Sequence, residues 1–259
     1  MRPARARKQL GQHFLHDPAV IAKLVAEIAP QPDDLIVEIG GGRGALTYPL
    51  LRQLRRLHVI ELDRQLADYL REHCPAGGEL VVHQTDALSF DFSALAEETG
   101  SLRVVGNLPY NISTPLLFHL LSHRAAIADM HLMLQKEVAR RIVANPGGKE
   151  YGRLTVMLAA WMDAGICFDV GPGAFSPPPQ VWSSVLHIRP HTAPSFAIGD
   201  ERRFAELVAR VFSMRRKTLA RALKGVISKE QIEALNIDPT ARPETLRPAQ
   251  FADLAALLQ

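Results

Sequence analysis

Two cysteines in 259 residues, Cys74 and Cys167, are too few for a disulfide framework, and they form no Cys-x-x-Cys pair. A stapled secreted scaffold is therefore excluded, and a reduced, cytoplasmic compartment is expected. No run of about 18 apolar residues occurs, so no membrane span is expected. The opening residues, Met1-Arg2-Pro3-Ala4-Arg5-Ala6-Arg7-Lys8, lead into no apolar stretch and do not read as a signal peptide. There are no internal repeats, and Pro177-Pro178-Pro179 is the one low-complexity tract. What remains is 47% apolar and 22% charged, an ordinary globular composition. The length suffices for one large α/β domain with a small appendage.

A net charge of +3 hides an uneven distribution. Residues 1–10 hold four basic side chains and no acid. Residues 202–224 hold eight (Arg202, Arg203, Arg210, Arg215, Arg216, Lys217, Arg221 and Lys224) against Glu206 alone. The rest of the chain, with 18 basic and 26 acidic residues, has a balance of −8. An acidic body with two basic segments is a layout for binding a polyanion, with Arg215, Arg216, Lys217, Arg221 and Lys224 as its expected contacts. Such contacts supply affinity rather than sequence choice.

Short apolar runs alternate with helical periodicity through the first three quarters of the chain. Strands are expected at 35–39, 57–62, 80–83, 102–106, 130–134, 166–170 and 184–188. Helices are expected around Val20 to Ile28, Leu46 to Leu54, Leu66 to His73, Pro115 to Leu121 and Lys136 to Val143. Such alternation builds a mostly parallel sheet covered on both faces. A Pro- and Gly-containing stretch follows Ile188, and from Glu201 the pattern is helical. The expected organisation is a catalytic α/β domain over 1–190, a linker over 191–200 and a helical domain over 201–259.

Ligands of parallel sheets bind outside the carboxyl ends of the strands. The first expected strand ends in Glu38-Ile39-Gly40-Gly41-Gly42-Arg43-Gly44-Ala45, where glycines permit a sharp turn and close approach to a ligand. The second ends at Glu61, a carboxylate able to accept from both hydroxyls of a ribose. After the third comes Asp86, able to accept from an adenine amine. The fourth ends in Asn107-Leu108-Pro109-Tyr110. Asn offers a carbonyl acceptor to an N–H, and Tyr offers a face on which a base can stack. Acceptors around an exocyclic amine turn its lone pair outward and offset the positive charge that grows as it attacks an electrophile. Alone, the tetrapeptide also fits a plain strand-to-helix turn in which Asn107 caps the next helix. Gly40-x-Gly42-x-x-Ala45 with Glu61 also fits a loose dinucleotide fingerprint, but no His, Lys or Tyr arrangement suited to hydride chemistry accompanies it.

The series of acid, glycines, second acid, third acid and Asn-x-Pro-Tyr resembles the motifs of class I S-adenosylmethionine methyltransferases. Further stretches carry the resemblance to one family: Gly11 to Leu15, Glu38 to Thr47, Val59 to Asp63, Gly106 to Pro115, Leu134 to Arg141, Tyr151 to Leu154, Phe175 to Pro179 and Arg215 to Leu219. Each is similar to a motif of the ribosomal RNA adenine dimethyltransferases, above all the bacterial small-subunit enzymes. The resemblance implies a Rossmann-like α/β fold with a seven-stranded, mostly parallel sheet and a small all-helical C-terminal domain. It implies S-adenosylmethionine as cofactor, held by His13, Leu15, Gly40, Glu61, Asp86 and Asn107. Asn107, Leu108 and Tyr110 fall on its target-base positions, with Phe175 as a second stacking face. His13 stands where some members have Asn, and Gly41 where many have Pro. The implied reaction is N6,N6-dimethylation of two adjacent adenosines in a hairpin loop near the 3′ end of 16S ribosomal RNA. It takes place within an assembling small ribosomal subunit, and the enzyme is expected to be a monomer. No metal is expected: His119 and His123 have the spacing of a zinc-protease pair, but Leu120 stands where that pattern needs Glu. Two alternatives differ in class: a methyltransferase acting on another nucleic acid, and a ribosome assembly factor that has kept only the fold.

Overall fold

In a computed structural model of the chain, residues 12–258 are described; the basic arm expected over residues 1–10 lies outside them. The chain divides into two compact units, Met1–Ala139 with Ala164–Pro190, and Arg140–Asp163 with His191–Gln259.

The first unit is built on a seven-stranded sheet. Its strands are β1 (Ile36–Ile39), β2 (Arg56–Ile60), β3 (Glu79–His83), β4 (Leu102–Asn107), β5 (Ile127–Gln135), β6 (Met162–Val170) and β7 (Ser183–Pro190). They lie in the order β3-β2-β1-β4-β5-β7-β6. Pairings from β3 to β5 are parallel, and β7 runs antiparallel to β5. All four residues of β1 are buried, as a central strand covered on both faces requires. Each of the seven strands falls where the apolar runs place one.

Aspartates start three helices of this unit. Asp17 accepts from the amides of Ala19 and Val20 at the head of Pro18–Ile28, and Asp63 from Gln65 at the head of Arg64–Glu72. Asp91 does the same for Phe92–Thr99, accepting from Ser93 and Ala94. Each such cap contributes about 1 kcal/mol. The helix at Phe92–Thr99 is not apparent from apolar spacing. Helices at Thr47–Leu51, Ser113–Ser122 and Lys136–Ile142 agree with expectation. Near the amino ends of the strands, Arg103 donates to Asp34, to Asp129 and to the Ile28 carbonyl, tying three segments to β4. A two-residue ribbon, Phe14–Leu15 against Phe175–Ser176, pairs antiparallel beside the sheet. Leu15 and Phe175 enter one core with Leu24, Ile28, Ile36, Leu50 and Val105.

The second unit is helical. Helix Arg153–Ala159 packs on Glu201–Ser213, which also meets Pro248–Ala255. Tyr151 is fully buried here and donates its hydroxyl to the Leu246 carbonyl. Residues 191–200 contain no helix or strand. Residues 140–163 group with the C-terminal helices and not with the sheet. Among the described residues, no helix is long and apolar enough to cross a membrane.

Candidate active site

The carboxyl ends of β1, β2 and β4 converge on one cavity, together with the turn after β3 and the segment before the ribbon. It is lined by His13, Leu15, Glu38, Gly40, Glu61, Asp86, Asn107, Leu108 and Tyr110, among others, all within the first unit. Three glycines of the loop after β1 have left-handed backbones: Gly40 at φ 78°, Gly42 at 55° and Gly44 at 81°. Side chains are strained there. At Gly41 a Cβ would come within 2.6 Å of a Val59 methyl and 2.9 Å of a Leu70 methyl, so a larger residue there requires those side chains to shift. On β4, a Cβ at Gly106 would lie 2.5 Å from the Ile39 carbonyl oxygen. Glycine at 106 therefore lets the tips of β1 and β4 touch and sets Asn107 beside Gly40.

Glu61 accepts the Gly42 amide on one carboxylate oxygen and the Asp63 amide on the other, each at 2.9 Å. A carboxylate has about four acceptor sites, so the loop is fixed while some of that capacity stays open. Burial raises the Glu61 pKa, and the amide bonds oppose that shift. Glu38 lies deeper, and burial pushes its pKa up to about 7 against a hydrogen bond from Thr47. Its Oε2 is buried and has no hydrogen-bond partner. Asp86 accepts the Leu88 amide at 2.9 Å, which sets the turn after β3.

Asn107 carries the most informative geometry. Its Nδ2 donates to the His13 carbonyl at 3.0 Å, which fixes the orientation of the amide. Its Oδ1 is buried with no partner. A buried acceptor left in this state costs about 1–3 kcal/mol, which an arriving N–H donor would recover. Asn107 does not cap the following helix, whose N-cap residue is Ile112 with no side-chain bond. Leu108 is buried and donates its amide to the Met133 carbonyl, continuing the ladder to β5. Tyr110 is stacked on the His13 ring at 5.3 Å between centroids, and its hydroxyl lies 2.6 Å from Ser183 Oγ. His13 Nδ1 is 2.7 Å from the Pro177 carbonyl and so carries the proton toward it.

His13 thus orients both side chains that the Asn-x-Pro-Tyr motif supplies. Sequence reasoning names it as a cofactor contact and misses this role, because the bond to Asn107 is made by its backbone. The sequence marks Glu38 as the first acid of the motif series but assigns it no contact, whereas nothing local marks Ser183.

Phe175, expected as a second stacking face, is 2% exposed and packed in one core with Leu15 and Leu24. Its strand partner is Leu15, and the pairing turns both side chains inward. The basic cluster also divides. Arg215 donates to the Lys149 carbonyl at 2.7 Å and lies near Glu244, so it helps to hold the 140–150 segment within the second unit. Arg216, Lys217, Arg221 and Lys224 are exposed. The two tempting histidines are occupied, His119 by the Phe90 carbonyl and His123 by Ser93. A different group, Asp129, His131 and His187, brings its ligand atoms within 4.8 Å of one another. Both Asp129 oxygens already accept from Arg103, and burial drives the His131 pKa down to about 4.

The cavity is rich in acceptors. Three carboxyl groups, Glu38, Glu61 and Asp86, surround the glycine loop, and Asn107 adds a free carbonyl oxygen. That lining repels the pyrophosphate of a dinucleotide. It fits S-adenosylmethionine, which brings ribose hydroxyls, an ammonium group and an amine as donors and no phosphate.

Comparison with known proteins agrees with this chemistry. A family model described as ribosomal RNA adenine dimethylase matches residues 4–259. The Ribosomal RNA small subunit methyltransferase A of Nitrosococcus oceani is 55% identical over 93% of this chain and 92% of its own length. The protein of that name from Acinetobacter baylyi is 50% identical over 97% of this chain and 92% of its own. Among solved structures, a dimethyladenosine transferase from Plasmodium falciparum superposes with a TM-score of 0.79 at 26% identity, covering 93% of this chain and 96% of that one. The 23S rRNA methyltransferase ErmE gives 0.72 at 25% identity, covering 95% and 99%. A seven-stranded sheet with β7 reversed, a cavity of acceptors at its strand tips and a match over nearly the whole length lead to one statement: the chain belongs to the ribosomal RNA adenine dimethylase family, the S-adenosylmethionine-dependent rRNA adenine-N6,N6 dimethyltransferases.

Proposed function

We propose that the protein dimethylates the N6 amines of two adjacent adenosines in the 3′-terminal hairpin loop of 16S ribosomal RNA. It acts in the cytoplasm, as a monomer, on the small ribosomal subunit or its precursor. The small-subunit relatives at about half identity support the choice of RNA. The observation that carries the chemistry is the buried, unpartnered Oδ1 of Asn107 at the end of β4. An adenine amine donating to it recovers the cost of its burial and is turned so that the nitrogen lone pair is free to attack.

S-adenosylmethionine, when bound, supplies a methyl group made electrophilic by its sulfonium. The residues of the chain do the rest. Glu61 and Asp86 would accept from hydroxyls and an amine of the bound cofactor, with Gly40, Leu15 and His13 lining the rest of its bed. Tyr110, held by His13 and Ser183, gives the flipped adenine a face worth roughly 1–3 kcal/mol. Phe175 pairs with Leu15 in the ribbon and packs against it in the core. Leu108 keeps the turn in register with β5. No general base is required, because the methylated amine is cationic and loses its proton readily. Positioning of this kind accounts for much of the rate gain. Arg216, Lys217, Arg221 and Lys224 hold phosphates, and Arg215 contributes chiefly by fixing the segment beside it.

The test is methyl transfer to small ribosomal particles that lack the modification, followed by digestion and nucleoside identification. N6,N6-dimethyladenosine from the wild type but not from Asn107→Ala is the expected result. Binding without transfer would favour an assembly factor instead. Transfer to naked large-subunit RNA or DNA in preference to the particles would favour another nucleic acid.

A further inference from the structure

S-adenosylmethionine carries one anionic group, the carboxylate of its methionyl end, and most of the cavity is hostile to it. Three carboxyl side chains stand in the lining. Backbone amides of a glycine loop can hold an anion, but here three of them are engaged. Gly40 donates to the Ile60 carbonyl at 2.8 Å, Gly42 to Glu61 at 2.9 Å and Gly44 to the Gly41 carbonyl at 2.9 Å. Asn107 Nδ2 and His13 Nδ1 are held by backbone carbonyls in the same way. A carboxylate placed among acids without a cation is strongly disfavoured. Among the described residues, the lining contains a single lysine or arginine, and that is Arg43 on the glycine loop.

The sheet order places Arg43 where that carboxylate has to go. Strand tips follow one another as β3, β2, β1 and β4, so Asp86, Glu61, the glycine loop and Asn107 succeed each other across the cavity. With the adenine amine at Asp86 and the ribose at Glu61, the rest of the cofactor continues onto the glycine loop. There the loop meets the ribbon: a Cβ at Gly42 would lie 3.2 Å from the Phe14 ring. The Arg43 guanidinium rests over that same ring, its Cζ 4.4 Å from the centroid. This cation–π contact keeps a positive charge on the side of Glu61 away from Asp86.

We propose that Arg43 binds the carboxylate of S-adenosylmethionine through its planar guanidinium fork. This rests on the placement of the cofactor proposed above. It makes Arg43 the residue that tells the amino-acid end of the cofactor from a nucleoside lacking that group.

The experiment is calorimetric titration of the full-length, cofactor-free protein with two ligands. One is S-adenosylmethionine, and the other is its decarboxylated form, which keeps the sulfonium, ribose, adenine and amine. Wild type is compared with Arg43→Ala, Arg43→Lys and Glu61→Gln, with thermal unfolding as a check that each variant is folded. Arg43→Ala should weaken S-adenosylmethionine roughly ten- to a hundredfold and the decarboxylated form by less than about twofold. Arg43→Lys keeps the charge without the fork and should recover part of the loss. If Arg43→Ala weakens both ligands equally, the side chain only props Phe14, and the proposal fails. If it weakens neither, there is no contact, and the proposal fails again. Glu61→Gln should weaken both ligands alike, because both carry the ribose hydroxyls. Should it weaken neither, the cofactor placement itself is wrong, and the assignment of Arg43 falls with it.

Discussion

The strand tips and the 202–224 stretch both concentrate polar side chains, but they use them in opposite ways. At the tips, Glu38 and Glu61 are buried, Glu61 holds loop backbone with both of its oxygens, and Glu38 Oε2 and Asn107 Oδ1 remain as buried free acceptors with fixed directions. In 202–224, about half of the basic groups bond within the chain: Arg202 with Glu206, Arg203 with the Leu258 carbonyl, Arg210 with the Ala222 and Lys224 carbonyls, and Arg215 with Lys149. Arg216, Lys217, Arg221 and Lys224 stay exposed. Buried acceptors select a ligand by geometry, and exposed cations collect a polyanion by charge. Discrimination and capture are therefore separable by mutation.

The largest expected effect is at Asn107. Asn107→Ala should slow methyl transfer about a hundredfold or more at saturating substrate, as loss of one preorganised polar group does, with particle binding little changed. Equal loss of both would erase the distinction between the regions. Next, Glu38 predicts a pH dependence of stability. Its folded pKa of about 7 exceeds the ordinary 4.5, so between those values the native state keeps a proton that the unfolded chain has released. Stability should fall as pH rises through that window, by at most about 3 kcal/mol, and level off above it. Glu38→Gln should flatten the profile in denaturant titrations. Gly106→Ala should cost about 1–3 kcal/mol through the clash with the Ile39 carbonyl, seen as a lower Tm with a proportionate loss of activity.

The smallest effects sharpen the other side of the comparison. Replacing Arg216, Lys217, Arg221 and Lys224 with Ala should weaken binding with kcat preserved and reduce the salt slope by about 0.7 for each phosphate no longer neutralised. Arg215→Ala should instead lower the stability of the helical unit and leave the salt slope nearly unchanged.

Much of this is legible in the chain. Apolar runs mark all seven strands, most plainly the buried parallel ones, and acids or an amide at the ends of β1, β2 and β4 mark the cavity. The helix Phe92–Thr99 leaves no such trace because, among its described side chains, only Phe92 and Leu95 are buried, too few to show a period. An aromatic before prolines suits a site or a core equally, and the pairing of Phe175 with Leu15 is not visible in the sequence. Arg215 looks like its neighbours, since a count of charges cannot see that two carbonyls at 148 and 149 await it. The grouping of 140–163 with the C-terminal helices depends on packing between segments distant in sequence, of which local periodicity carries no sign.

The reversed direction of β7 has a consequence for the order in which the protein becomes competent. Tyr110 needs His13 on one side and Ser183 on the other, so the pocket joins residues 170 positions apart. Pairings of such separation form slowly and late. A chain still being synthesised, with everything up to β5 already emerged, can carry every motif glycine and acid and still lack the finished pocket. Competence thus reports that the sheet is complete, and a half-made copy cannot hold the target base as the finished one does.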